Sequence, residues 1–431
     1  MSLLIVIGLM MVLLLIGSPV VFAIGIAGLT YFIVEPGMWM QIGVYAQRFY
    51  MGMDSFVFLC IPLFIFSGEI MKRSGMMMDL VQFAQIIVGR FRGGMAYVNV
   101  LASMLFGGVT GSGLADVSAL GPIEIDAMKK DGYDPAFAAA LTATSAIQGP
   151  IIPPSIPMVI FASLTNASVG ALFLAGAIPG VLIGLGQMCV IFTLGRRRNF
   201  PKHEVSYRIK DIYNATKSAM CALMMPFIIL GGILGGVFTP TEAAAVAAAY
   251  SLLISVVVYR QIRLKDIYQA LVDTSKVTAS IYLIVGFVTV IGWVLAAERV
   301  PTMLTELVQT HSPGPYLLLF LLNLFLLFNG MWLSDVAQLV LFAPLFTAIF
   351  ATMGISPIHF GAVMVVNIMI SMITPPYGLA LYLAASLGKV SLNRIVRQTL
   401  PFTLVSILVL FFVSFFPRII LFLPRVFGFV N

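Results

Sequence analysis

Charge is scarce in this chain. Asp, Glu, Lys and Arg make up 10% of its 431 residues, against about a quarter in soluble domains. Hydrophobic residues reach 60% and the mean hydropathy is +1.06, which excludes a water-soluble fold. Cysteine is nearly absent. Cys60, Cys189 and Cys221 sit singly in apolar segments without ligand spacing, so neither a disulfide framework nor a metal site is expected and their role is packing. His203, His311 and His359 are scattered, which leaves no catalytic or metal cluster and no enzyme activity to expect. No Gly-x4-Gly-Lys-Ser/Thr run is present, so the chain does not itself power work with ATP. The first apolar stretch, 2–34, lacks a basic start and a clear cleavage site. It reads as a retained helix broken at Gly17, Ser18 and Pro19 rather than a secretion signal.

What is there is apolar run after apolar run, each long enough for a hydrocarbon core of about 30 Å, with no polar stretch of domain size between them. Spans are expected at 19–34, 55–71, 135–164, 168–194, 220–236, 241–259, 277–297, 357–387 and 398–422. The fold class is therefore an all-α polytopic membrane protein whose first partner is the lipid bilayer. Two further stretches, 95–127 and 315–350, have polar centres and suit re-entrant hairpins that enter and leave on one side. A net charge of +7 raises the question of nucleic acid. All but four of the 24 Lys and Arg, namely Arg48, Arg299, Arg418 and Arg425, lie in clusters between spans, so membrane orientation explains them and no nucleic-acid partner is expected. With those clusters cytoplasmic, the first hairpin opens from the cytoplasm and the second from the other side.

An internal repeat organises the chain. A shift of 222 residues lays 106–162 on 328–384 without a gap, and all four prolines of the second window, Pro344, Pro357, Pro375 and Pro376, fall on Pro122, Pro135, Pro153 and Pro154. Five crossings separate equivalent spans, so the second copy is expected upside down relative to the first, as in secondary transporters. The expected division is a first repeat over 1–194, with its hairpin at 95–127 and a broken helix at 135–164. A basic cytoplasmic loop and linking helix follow at 195–239. The second, inverted repeat then covers 240–431, with its hairpin at 315–350 and a broken helix at 357–387.

Chemistry concentrates at the breaks. A proline pair within a span removes N–H donors and leaves carbonyls free around Gly149 and Pro150 and again around Thr374 and Pro375. Those oxygens, with hydroxyls of Thr144, Ser145 and Thr374, suit a hard monovalent cation. A kink satisfied by neighbouring helices is the bland alternative. The hairpin tips, Thr110, Gly111, Ser112 and Gly113 in the first and Gly330 to Ser334 and Asp335 in the second, would cap the following half-helix and offer its amide end to an anion. Asp116 and Asp335 are expected to face protein or water, since an ionised carboxylate in lipid costs about 2.5 to 3.5 kcal/mol. For Asp335 the alternative is a capping box with Gln338. Thr239 to Glu242 reads as a capping box with Pro at the first helical position. Arg299 beside Glu298 either pairs with it at the interface or attracts an anionic substrate.

The stretches 149–156 (GPIIPPSI), 239–246 (TPTEAAAV), 374–376 (TPP) and the tip with Ala115 and Asp116 resemble the large membrane subunit of tripartite ATP-independent periplasmic (TRAP) transporters, over essentially the whole chain. The resemblance implies a sodium-driven elevator importer in a bacterial or archaeal inner membrane. It would take an organic acid from a soluble periplasmic binding protein and work with a small four-helix membrane subunit, here a separate chain. It places substrate at Ser112, Asp116, Ser155 and Asp335, to which the charge of Arg299 adds a further candidate. Sodium, the one metal ion expected and no other cofactor, would lie at Thr110, Gly111, Ser112, Thr144, Ser145, Gly149, Pro150, Gly330, Ser334, Asn367, Thr374, Pro375 and Gly378. Around Ala297 to Arg299 there is no firm match to a sialic-acid-type anion site, which leaves C4-dicarboxylates, sugar acids, keto acids and small sulfonates as expected cargo. A stand-alone ion antiporter and a non-transporting scaffold subunit are the competing readings.

Overall fold

The computed structural model describes residues 1–202, 208–311, 314–376 and 378–430; His203 and the neighbouring part of the expected basic loop lie outside these. Among the described residues every regular element is helical. Six helices are long and apolar enough to cross a membrane: Val169–Arg197, Ile209–Leu234, Pro240–Tyr259, Leu264–Ala297, Asp335–Thr352 and Leu392–Phe415. A further crossing forms if Gly43–Met53 and Phe56–Arg73, bent by 55° at Asp54 and Ser55, are taken together. The chain is thus a multi-pass membrane protein.

Shorter helices come in broken pairs. Gly94–Thr110 turns through Gly111 and Ser112 into Gly113–Lys130, and Pro315–Asn329 turns into Asp335–Thr352. Pro135–Ser145 stops, after a 3-10 turn, before Ile156–Thr165; Pro357–Ser371 stops before Leu379–Gly388. Each of these two breaks contains a cis proline peptide, Pro153–Pro154 and Pro375–Pro376. The starts Gly113 and Asp335 and the starts Pro135 and Pro357 are both 222 apart, so the helix-break-helix succession recurs at the spacing of the sequence repeat.

The breaks interlock. Pro135–Ser145 packs on Leu379–Gly388, and Ile156–Thr165 packs on Asp335–Thr352, so each half of the first broken helix touches an element from the other end of the chain. Val169–Arg197 and Leu392–Phe415 pack on each other against this centre. A second group, Cys60–Arg73, Pro240–Ile254, Leu264–Ala297 and Ile209–Leu234, packs mainly within itself and meets the first along Gly94–Thr110 and Asp335–Thr352. Val20–Val34 packs on this group through Leu264–Ala297, where Phe32 stacks on Trp293 at 5.4 Å between ring centroids.

Several expectations are corrected here. The stretch 2–34 is broken at Gly17, Ser18 and Pro19 as expected, but into two helices, with Ser2–Leu15 packed back along Val20–Val34. Helices Gly43–Met53, Met76–Val88 and Val300–His311 were not expected; each is too short or too polar to register as a span. Leu264–Ala297 starts thirteen residues before the expected 277, because its first turns carry Lys265, Asp266, Asp273 and Lys276 and hydropathy sees only the apolar remainder. The span expected to reach 422 ends at Phe415, since Pro417 has no N–H to continue the ladder.

Candidate functional site

A cavity of about 310 Å³ opens where the two groups of helices meet. One wall is the first hairpin tip and the first broken helix, through Thr110 to Ala115, Ser118, Pro150 and Ile156. The facing wall is Gly68, Glu69 and Lys72 with Val277 and Ile281, and Asp335 of the second hairpin closes one side. Lys72 is the one cation among the lining residues. Its ammonium stands 3.9 Å from Glu69, while Arg73 one residue on is tied to Asp273 at 2.7 Å, fastening Cys60–Arg73 to Leu264–Ala297.

The hairpin tip owes its shape to its small residues. Gly111 has φ +61, and a Cβ there would stand 2.7 Å from the Pro154 carbonyl oxygen, so the tip docks against the break of the first broken helix only without a side chain. Its carbonyl accepts from the Ile156 amide at 3.4 Å. Ser112 caps Gly113–Lys130, accepting from the Ala115 amide at 3.5 Å, so the positive end of that helix faces the cavity.

Behind this wall lies a polar layer with few exits to solvent. Asp116 is 1% exposed and turned away from the cavity: its Oδ2 is 3.8 Å from where a Cβ of Gly149 would stand, and neither carboxylate oxygen has a hydrogen-bond partner. The Thr110 hydroxyl is also buried and unpartnered. Ser145 donates to Asn99 Oδ1 at 2.8 Å and meets the Ser103 hydroxyl at 3.1 Å. Thr144 donates to the Ala140 and Leu141 carbonyls, and its own carbonyl accepts from Gln187 at 2.8 Å. At the break, Gly149, Ile151, Ile152, Pro153 and Pro154 have carbonyls that no donor among the described residues reaches, whereas the Pro150 carbonyl takes the Ser155 hydroxyl. Ser155 also caps Ile156–Thr165 and is fully buried, so it lines no cavity.

The second break has a smaller chamber of about 140 Å³, lined by Gly330, Trp332, Ser334, Asp335, Ser371 and Gly378 among others. Asp335 borders both cavities. The cap of Asp335–Thr352 is Ser334, accepting from the Ala337 amide at 3.4 Å; Asp335 is the first helical residue, which corrects the alternative of a box built on Asp335 and Gln338. Gly330 abuts Ser371 so closely that a Cβ would collide with it. Gln338, the residue 222 after Asp116, is fully buried with neither amide atom partnered. Asn367 donates to Asn323, and its Oδ1 is left without a donor. The Thr374 hydroxyl donates to the Ile370 carbonyl, and the Thr374 carbonyl accepts from Gly378 at 3.3 Å; Pro375 lies in the same break.

Arg299 stands apart. It lines neither cavity and forms the turn, at φ +55, between Leu264–Ala297 and Val300–His311, while Glu298 pairs with Tyr31 at 2.8 Å. Away from the cavities, the Thr239 and Glu242 capping box is formed: the Thr239 amide donates to Glu242 at 2.8 Å and the Glu242 amide to Thr239 at 3.3 Å. The sequence reading missed Glu69, Lys72 and Ser118 in the main cavity, and Glu124, which is 1% exposed with both oxygens unpartnered. Glu124 was missed because 122–131 looks like the polar end of a helix. Its spacing of eight from Asp116, about two helical turns, is the signal that could have found it.

A family model described as the DctM component of the tripartite ATP-independent periplasmic transporter matches residues 7–419. The chain belongs to this family of TRAP large permeases. This permease is 39% identical over 95% of its length to the sialic acid TRAP transporter large permease SiaM of Vibrio cholerae, covering 96% of it. It is 36% identical to the C4-dicarboxylate large permease DctM of Pseudomonas aeruginosa, covering 94% of each chain. It is 33% identical to the 2,3-diketo-L-gulonate large permease YiaN of Escherichia coli, covering 94% of the permease and 95% of YiaN. In fold it is similar to the YdaH transporter of Alcanivorax borkumensis, with a TM-score of 0.62 over 89% of the permease and 90% of that chain, at 16% identity. It is also similar to MtrF of Neisseria gonorrhoeae, with a TM-score of 0.63 over 89% and 85% at 12% identity.

Proposed function

We propose that this permease imports a small organic anion, a carboxylate or a sulfonate, across the inner membrane, driven by the sodium gradient. It would receive the anion from a soluble periplasmic binding protein and act together with a small membrane subunit. The observation that carries this reading is the pairing of an open cavity with a buried oxygen layer behind the same wall. In the cavity an anion meets the Lys72 ammonium on one side and the amide end at Ser112 on the other. In the layer, Asp116 and the free carbonyls of Gly149 and its neighbours form a set of hard oxygens that no donor among the described residues reaches, which suits sodium. An ion held there ties Gly113–Lys130 to the break at 149–155, and so sets the hairpin tip that lines the cavity. Coupling between ion and anion follows from that shared wall. The Asn367 Oδ1 offers an oxygen of the same kind at the second break.

Relatives named for sialic acid, C4-dicarboxylates, 2,3-diketo-L-gulonate and isethionate support an anionic cargo. The family description as a tripartite periplasmic system supports the two partners. The recurrence of helix-break-helix after 222 residues supports two inverted repeats, and the division of helices into two packed groups supports an elevator, in which hairpins and broken helices move as one body. In liposomes holding the permease and its small subunit, with the matched binding protein loaded outside, uptake should rise steeply with an inward sodium gradient and collapse when sodium is equal on both sides. Uptake indifferent to the gradient would sink the proposal.

A further inference from the structure

A second pocket, of about 290 Å³, lies away from the transport cavity, where the start of Gly94–Thr110 meets the end of Val169–Arg197. Phe91, Arg92, Tyr97, Phe192, Gly195 and Arg196 line it. We propose that it binds the phosphate headgroup of an anionic phospholipid, with one acyl chain lying along the outer face of Val169–Arg197.

Three observations carry this. Two arginines and no acid line the pocket, and neither Arg92 nor Arg196 has a carboxylate partner among the described residues. Two arginines lining one small space suit a phosphate, whose oxygens accept bidentate bonds from guanidinium forks. The Arg196 guanidinium already rests on the Phe192 ring, 4.3 Å from its centroid, which orients it and spares rotamer freedom on binding. Next, a stripe of exposed apolar side chains leads to the pocket: Val181 at 42%, Leu185 at 51% and Phe192 at 51%, with exposed Cys189 between them. Steps of four, four, three and four residues from Val181 to Arg196 keep one face of the helix. An acyl chain has a continuous apolar track there; a free phosphate ion would have no use for one. Finally, Val169–Arg197 is a membrane-crossing helix whose last turn is basic, so the pocket sits where a span leaves the bilayer and anionic headgroups concentrate.

The test uses the full-length permease in nanodiscs of equal parts phosphatidylglycerol and phosphatidylcholine, transferred to detergent, with retained lipid counted by native mass spectrometry. The wild type should keep one phosphatidylglycerol per chain in at least about tenfold preference over phosphatidylcholine, and the R92Q/R196Q variant should lose that preference. Excess inorganic phosphate should leave the lipid in place. Equal retention of the two lipids by the wild type overturns the proposal without reference to any variant. Retention by R92Q/R196Q equal to wild type overturns the assignment to this pocket, and displacement by inorganic phosphate overturns it in favour of a free-phosphate site.

Discussion

Lys72 occupies a position that its local sequence disguises. In sequence it belongs to a pair with Arg73 that serves membrane orientation, and only the fold shows that the two point to different tasks: Arg73 is bound to Asp273, while Lys72 lines the cavity. Replacing it by methionine keeps the stem and removes the charge. The Lys72→Met variant should raise KM for the anion by about fivefold to tenfold, on the order of 1 kcal/mol for a partly exposed charge contact, and leave the sodium dependence in place. An unchanged KM in proteoliposome uptake would remove Lys72 from the site. Asp116 was legible as a buried acid, because an ionised carboxylate does not face lipid, yet periodicity could not say which side of its helix met the cavity. The structure turns it to Gly149. Sodium should therefore raise the thermal midpoint of the purified wild type relative to choline, and Asp116→Asn should reduce that increment while keeping the fold, because a ligand bound only by the folded state stabilises it. An increment equal to wild type would take Asp116 out of the ion site.

Elements reveal more of themselves in sequence when their signal is a break than when it is a run. Proline pairs, glycine-rich tips and cap residues marked where both hairpins turn and where both broken helices stop, since Gly, Pro and Ser act on the backbone where they stand. Met76–Val88 lies between Gly75 and Gly89, and Val300–His311 has Pro301 in its first turn, but these two and Gly43–Met53 are short amphipathic helices without the long apolar run that marks a span. Gly111 shows how closely tip and break are matched. Gly111→Ala should lower the thermal midpoint, because a left-handed alanine costs about 1 to 2 kcal/mol and its Cβ crowds the Pro154 carbonyl. A midpoint equal to wild type would mean that the tip moves freely from the break.

For the whole molecule, the repeat of 222 residues in sequence is also the spacing of the helix starts Gly113 and Asp335 and of Pro135 and Pro357, so this succession of breaks was readable from one chain. How the halves interlock was not readable. Nothing in the local sequence of Pro135–Ser145 says that it packs on Leu379–Gly388, because pairing of distant apolar faces is decided by shape and not by hydropathy. The elevator account turns on whether the body that carries the hairpins slides against the remaining helices. Gly108 of the first hairpin and Pro226 of Ile209–Leu234 face each other across that boundary, and a Cβ at Gly108 would lie 3.8 Å from the Pro226 Cβ, within disulfide reach. In a background without Cys60, Cys189 and Cys221, the reduced G108C/P226C protein should take up substrate, and its oxidised form should bind substrate but not transport it until reductant is added. Sustained uptake by the fully oxidised protein would contradict the account.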